Sequence, residues 1–180
     1  MPVNLTPKDV SAELADFNSV LIASCPVCPP MCVAMQNDAP FIELFKHGIK
    51  TAAFEAHIQS IRDSLTKRGV RTGVFSIHTP TPMMCLWTER QRSRFLKRAR
   101  DFEAVLVLGC DSGTVSAKDA LNDTDCRVVQ GLIMNGVVNA TTTIRFPFVV
   151  SMKPNMESPD QVPGPPPTEH GEGTFIEQAG

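Results

Sequence analysis

Three of the six cysteines fall within one short run, Cys25-Pro-Val-Cys28-Pro-Pro-Met-Cys32. A C-x2-C turn lets two thiolates reach one metal, and the surrounding prolines leave the loop little entropy to lose when it closes. Clustered thiols among prolines make a poor core, so metal binding is the leading use of Cys25, Cys28 and Cys32. Cys85 and Cys110 follow singly, which brings the candidate sulfurs to five. Sulfur-only donors suit an iron-sulfur cluster or an all-cysteine zinc site, both of which take four thiolates. The irregular spacing and the surplus fifth cysteine favour the cluster, most readily [4Fe-4S], and zinc stands as the alternative.

The elements around these cysteines are legible. Ser19-Val-Leu-Ile-Ala-Ser24 and Ala104-Val-Leu-Val-Leu-Gly109 are short, continuous apolar runs, the pattern of strands buried on both faces, and each stops at a cysteine, Cys25 and Cys110. A further strand over 72–77 leads through the turn-forming residues 78–82 to Cys85. Between them, Phe54, Ile58, Ile61 and Leu65 lie on one face of a helix that Gly69 ends. Thr88-Glu89-Arg90-Gln91 has the spacing of a capping box opening a helix striped by Phe95, Ala99 and Phe102. A short helix over 116–121, a strand over 127–133 and a β-rich stretch over 140–150 complete the alternation.

Strands alternating with helices imply a three-layer α/β fold with a mainly parallel sheet, whose ligand sites lie beyond the carboxyl ends of the strands. Three loops, carrying Cys25, Cys28 and Cys32, then Cys85, then Cys110, therefore converge on the carboxyl edge. Cys126, at the start of a strand, falls at the opposite edge as a bystander. Two local expectations concern the first loop and the amino terminus. Pro26, Pro29 and Pro30 argue for a shaped loop through residue 30 and against an immediate helix. Thr6-Pro7-Lys8-Asp9 reads as a helix start, for a helix running to Asp16.

Composition narrows the function. Seventeen basic residues against nineteen acidic ones leave a formal charge of -2, so nothing in the net balance calls for nucleic acid or an anionic membrane. No apolar stretch approaches the roughly 20 residues of a membrane span. The amino terminus has no basic segment followed by an apolar one, so the expected location is the cytoplasm, where thiols stay reduced. There is no nucleotide fingerprint, no Ser-His-Asp arrangement and no convincing carboxylate pair, hence no catalytic residue to name. Of the four histidines only His78 lies near the cysteine loops, as a turn residue. The α/β metal domain is expected over residues 1–153. From residue 154 onward six prolines and four glycines in twenty-seven residues mark a flexible tail.

Two features suggest a docking surface. Pro29, Pro30, Met31, Met83, Met84, Leu86 and Trp87 lie in the cysteine loops, where apolar residues would form an interface, or would simply be buried under the domain's own helices. Arg90, Arg94, Lys97 and Arg98 line one face of the helix that begins just beyond Trp87, as a solvated face or as a guide for an acidic partner.

The cysteine pattern resembles a known family. The strand leading into Cys25-x2-Cys28-x3-Cys32, the isolated Cys85, Val-Leu-Val-Leu-Gly-Cys110-Asp-Ser-Gly113 and the later Gln130-Gly-Leu132 are similar, in order, to the small cysteine-rich subunit or carboxyl-terminal domain of the acetogen-type methylenetetrahydrofolate reductases. That resemblance implies an iron-sulfur electron-transfer subunit, itself without catalytic turnover, that serves a flavin-bearing partner. The other reading left open is a structural or assembly subunit with an all-cysteine zinc site, partnering a folate or corrinoid methyltransferase.

Overall fold

The two uncharged runs form adjacent strands at the centre of the molecule. In this computed structural model, which describes residues 3–155, strand β2 (Ser19–Ser24) pairs in parallel with strand β5 (Ala104–Leu108), Ser24 lying opposite Leu108. Every residue of both strands is buried. Strand β4 (Arg71–Phe75) flanks β2 and strand β6 (Arg127–Gln130) flanks β5, giving a four-stranded parallel sheet in the order β4-β2-β5-β6. The fold is thus mixed α/β.

Because successive strand residues point to opposite faces, the central strands feed two cores. Val20, Ile22, Leu106 and Leu108 join Phe54, Ile58 and Leu65 of helix α3 (Ala52–Lys67). Leu21, Ala23, Val105 and Val107 join Phe95 and Ala99 of helix α4 (Glu89–Ala99), with Ala117 of helix α5 (Asp111–Ala120). Helix α3 is followed by Gly69 at φ 81, as the sequence predicts. Helix α4 opens on the predicted capping box, with the Thr88 side chain accepting from the Gln91 amide.

The structure departs from expectation in several places. Residues 6–16 do not form a helix. Strand β1 (Val3–Pro7) pairs antiparallel with strand β7 (Leu132–Val137), and one helical turn, Leu14 N–H to Val10 C=O at 3.0 Å, follows. Burying Leu5 and Leu14, 3% and 1% exposed, outweighs the local capping signal, and Pro7 is tolerated because it lies on an edge strand.

The first cysteine loop is shorter than expected, because helix α1 (Cys28–Gln36) begins at Cys28 with prolines in its first turn. A first-turn amide has no partner within the helix, so proline costs nothing there. Helix α5 likewise begins at Asp111, not near residue 116, with Cys110 at its N-cap.

The expected strand over 127–133 breaks at Gly131, where the chain passes from the parallel sheet to β7. The β-rich stretch becomes a hairpin of strands β8 (Ala140–Arg145) and β9 (Val149–Pro154). With the short strand β3 (Ile42–Glu43) it makes a third sheet, in the order β3-β9-β8. No helix among the described residues is long and apolar enough to cross a membrane. The proline-rich tail lies outside the described residues from 156 on.

Candidate metal centre

The strand order sets the site. From β2 the chain goes to β4 on one side, then crosses to β5 on the other, so the gap beyond the carboxyl ends of β2 and β5 is the switch point where open α/β sheets hold ligands. Cys25 leaves β2 there with its amide bonded to the Leu108 carbonyl at 2.9 Å. Cys28 opens α1 three residues on, and Cys110 caps α5 just past β5. Two helix amino termini, the ends that favour negative charge, thus start at this edge.

Cys85 arrives from outside the sheet. It lies in a single 3-10 turn, Met84–Leu86, pinned by its neighbours. Met84 is fully buried, and a methyl placed on Gly113 of α5 would meet the Met84 Cβ at 3.4 Å. Trp87 is 6% exposed and packs against Phe95 at 5.2 Å between ring centroids. With both flanks anchored, Cys85 and Leu86 are left at the surface.

The thiols of Cys25, Cys28, Cys85 and Cys110 lie within electrostatic reach of one another. The Cys110 thiol is pulled down to about 5, chiefly by a hydrogen bond from Cys28 and further by the amides of Gly113 and Ser112, against the opposing effect of burial. The same bond pushes the Cys28 thiol up, joined by burial and by the negative charges of Cys25, Cys110 and Cys85. Burial raises Cys85 too, with Cys110 and Cys25 adding to it. Cys110 is therefore the favoured thiolate, and its charge opposes ionisation of Cys28 and Cys85.

Cys32 is not brought to this group. One helical turn beyond Cys28, its Sγ accepts from the Leu5 amide at 3.1 Å and donates to the Leu5 carbonyl at 3.3 Å, inside the core under β1. Cys32 thus stands apart from the other four cysteines expected at the site, whose thiols act on one another electrostatically. Cys126 lies at the amino edge, in an open cleft with Asn18 and Glu103, where burial raises its thiol. His78 has no ion pair or side-chain hydrogen bond among the described residues.

Sequence reasoning missed Met84 as the anchor of the Cys85 turn and the Ser112 and Gly113 amides as donors. The available signal was Asp111-Ser112, residue types that suit a first helical turn. Of the apolar loop residues, Pro29, Pro30, Met84 and Trp87 are buried in the domain's own core. Leu86 stays exposed, and Val115 of α5, 64% exposed, adds to the apolar surface.

The donor set can be tested against the expected groups. Among the described residues, no three Cys, His, Asp or Glu side chains are arranged to hold a single metal ion. A tetrahedral zinc with Zn–S near 2.3 Å would draw four sulfurs to about 3.8 Å from one another. A [4Fe-4S] cluster spreads its thiolates over four irons and fits a wider ring. The donors offered here are sulfur-only, at an edge where two helix amino termini start, a donor chemistry that a cluster accepts. No protein-family model, curated protein or solved structure matches this chain.

Proposed function

We propose that this chain is an iron-sulfur electron-transfer subunit, with Cys25, Cys28, Cys85 and Cys110 as the ligands of one [4Fe-4S] cluster. What supports the reading is that thiols from three separate segments, two of them at the carboxyl ends of adjacent parallel strands, act on one another electrostatically. When bound, the cluster supplies one-electron transfer. The chain's own part is positional: β2 and β5 fix Cys25 and Cys110, the first turn of α1 fixes Cys28, and Met84 and Trp87 hold Cys85 at the mouth. The two cores on opposite faces of the sheet support a three-layer architecture with the cysteine loops at its carboxyl edge.

The partner proposed from the resemblance is a flavin-bearing subunit of the methylenetetrahydrofolate reductase type, with substrate chemistry on that partner. Leu86, exposed next to Cys85, and exposed Val115 of α5 offer it apolar contact. The exposed basic side chains Arg90, Arg94, Lys97 and Arg98 would steer an acidic surface toward it. Only Arg98 of these four has an ion pair among the described residues, with Asp101 at 3.3 Å.

Anaerobic reconstitution with iron and sulfide tests the reading. The expected outcome is a brown protein carrying about four irons per chain, with the colour lost in the Ser variants of Cys25, Cys28, Cys85 and Cys110 and kept in Cys32→Ala. A colourless protein with one zinc per chain would put the structural zinc role in its place. Cluster assembly that required Cys32 would overturn the four-ligand set.

A further inference from the structure

A second surface lies outside the thiol site. In the sheet β3-β9-β8, strand β8 is terminal, and its residues 141–145 are all exposed. The hairpin tip carries Phe146, 93% exposed, and Phe148, 55% exposed. Phe148 adopts φ 55, a left-handed conformation that a bulky residue seldom takes, and its ring lies 6.1 Å from that of Phe45. Phe45 belongs to helix α2 (Leu44–His47), whose first amide bonds to the Phe148 carbonyl at 3.3 Å. Phe45 and Phe148 thus make an exposed aromatic pair, and Leu44, Ile49, Ile144 and Phe146 of the same two segments are exposed as well, a concentration of apolar side chains in water of the kind that marks an interaction site.

The charges around it are one-sided. Residues 41–50 and 140–154 hold Lys46, Lys50, Arg145 and Lys153 against one carboxylate, Glu43, in a chain of net charge -2. Glu43 is already engaged by Lys46 at 2.8 Å, and Lys50 reaches Glu55 at 3.5 Å. Arg145 and Lys153 have no carboxylate partner among the described residues. The pairings Arg145 with Val149 and Thr141 with Lys153 place both cations on the same face of the hairpin.

We propose that this hairpin is a docking site for a protein partner that lays an acidic strand along the free edge of β8 and takes Phe146 into an apolar pocket. The unpaired edge supplies main-chain hydrogen bonds, Phe146 and Phe148 supply anchors, and Arg145 and Lys153 select acidic side chains on the added strand. A second copy of the chain would set these cations against themselves. A lipid surface would leave the β8 edge without hydrogen-bond partners in an apolar medium. The proposal is independent of the metal reading.

The test is photo-crosslinking in the cells that make the protein, using the full chain with p-benzoylphenylalanine at position 146. The expected result is one protein adduct whose crosslinked peptide is net negative, with a yield that falls about tenfold in the double variant Arg145→Glu, Lys153→Glu. The same label at Val74, on the outer strand of the parallel sheet, should not give this adduct. Circular dichroism and the melting temperature of the double variant, unchanged for two exposed substitutions, show that loss of yield is not loss of fold. An adduct to a second copy, to residues 156–180 of the same chain or to lipid would overturn the proposal. So would an adduct insensitive to charge reversal, or no adduct beyond that seen at Val74.

Discussion

Strands β5 and β8 differ by one residue in length and by nearly everything else. All of β5, Ala-Val-Leu-Val-Leu, is buried, whereas in β8, Ala-Thr-Thr-Thr-Ile-Arg, only the first residue is even partly covered. The first has a strand on each side and a core on each face, while the second has one neighbour and an open edge. Burial holds the cysteine edge in fixed geometry, and exposure leaves the hairpin free for contact with other molecules. The molecule thus separates a region built for precise placement from one built for docking.

Large-to-small substitution is the most forceful way to break that contrast. Phe95, fully buried against Phe75 and Trp87, should cost about 3–5 kcal/mol as Phe95→Ala, through lost burial and the cavity left behind. Phe146→Ala, at 93% exposure, should stay within about 0.5 kcal/mol of the parent. Urea unfolding of both variants measures the difference. Comparable losses would mean that the hairpin is part of the same cooperative core.

A smaller effect is expected at Gly131, where the chain leaves the parallel sheet for β7. A Cβ there would stand 2.8 Å from Leu108 Cδ2, 3.0 Å from Leu106 Cδ1 and 3.2 Å from the Val107 carbonyl, and the last of these is backbone that cannot give way. Gly131→Ala should therefore destabilise by about 1–3 kcal/mol through overpacking. At Gly109 the nearest atoms lie at 3.4 Å or beyond, so Gly109→Ala should cost under about 1 kcal/mol. Denaturant midpoints that ranked the two glycines the other way would show that Gly131 has room the packing does not provide.

The parts legible in the sequence are those whose signal is local and reinforced by burial. The runs at 19–24 and 104–109, the Phe54-Ile58-Ile61-Leu65 stripe and the Thr88–Gln91 capping box all follow from periodicity and capping chemistry. The parts missed depend on distant partners. Thr6-Pro7 makes a sound helix start by itself, yet its strand is chosen by β7, which lies more than a hundred residues away. Cys28 and Cys32 share one spacing motif, but once α1 begins at Cys28 they stand one turn apart, and β1 captures the second thiol. That Cys25 and Cys110 follow adjacent parallel strands was readable from the apolar runs, whereas the separation of Cys32 depended on a sheet the sequence did not announce.

The thiol pair gives a pH signature confined to the buried region. Between about 5 and the ordinary value of 9.0, folded Cys110 has released a proton that the unfolded chain keeps. Stability of the metal-free protein should therefore rise with pH across that window and be lost as pH falls through about 5. Cys28, pushed upward, acts in the other direction: above about 9 the unfolded thiol ionises and the folded one does not, so stability should fall there. Cys110→Ser should flatten the lower limb in pH-dependent thermal melts. Iodoacetamide near pH 6.5 should mark Cys110 ahead of Cys85 and Cys126, whose thiols are raised. Equal labelling of all three would contradict the thiolate at the α5 amino terminus.

A small effect is also expected at Trp87, whose Nε1 is the only buried side-chain nitrogen or oxygen without a hydrogen-bond partner among the described residues. Its ring does much of the packing around Cys85, meeting Phe75 at 5.9 Å and Phe95 at 5.2 Å, so Trp87→Ala belongs with Phe95→Ala in cost. Trp87→Phe keeps an aromatic ring in place and removes only the donor and part of the area. A buried donor left unsatisfied costs about 1–3 kcal/mol, so deleting it offsets much of the lost burial, and the metal-free Phe variant should unfold within about 1 kcal/mol of the parent. Urea denaturation measures this directly. A loss well beyond that would mean that the indole N–H has an acceptor in solution, and the Cys85 turn would then be held by a hydrogen bond as well as by packing.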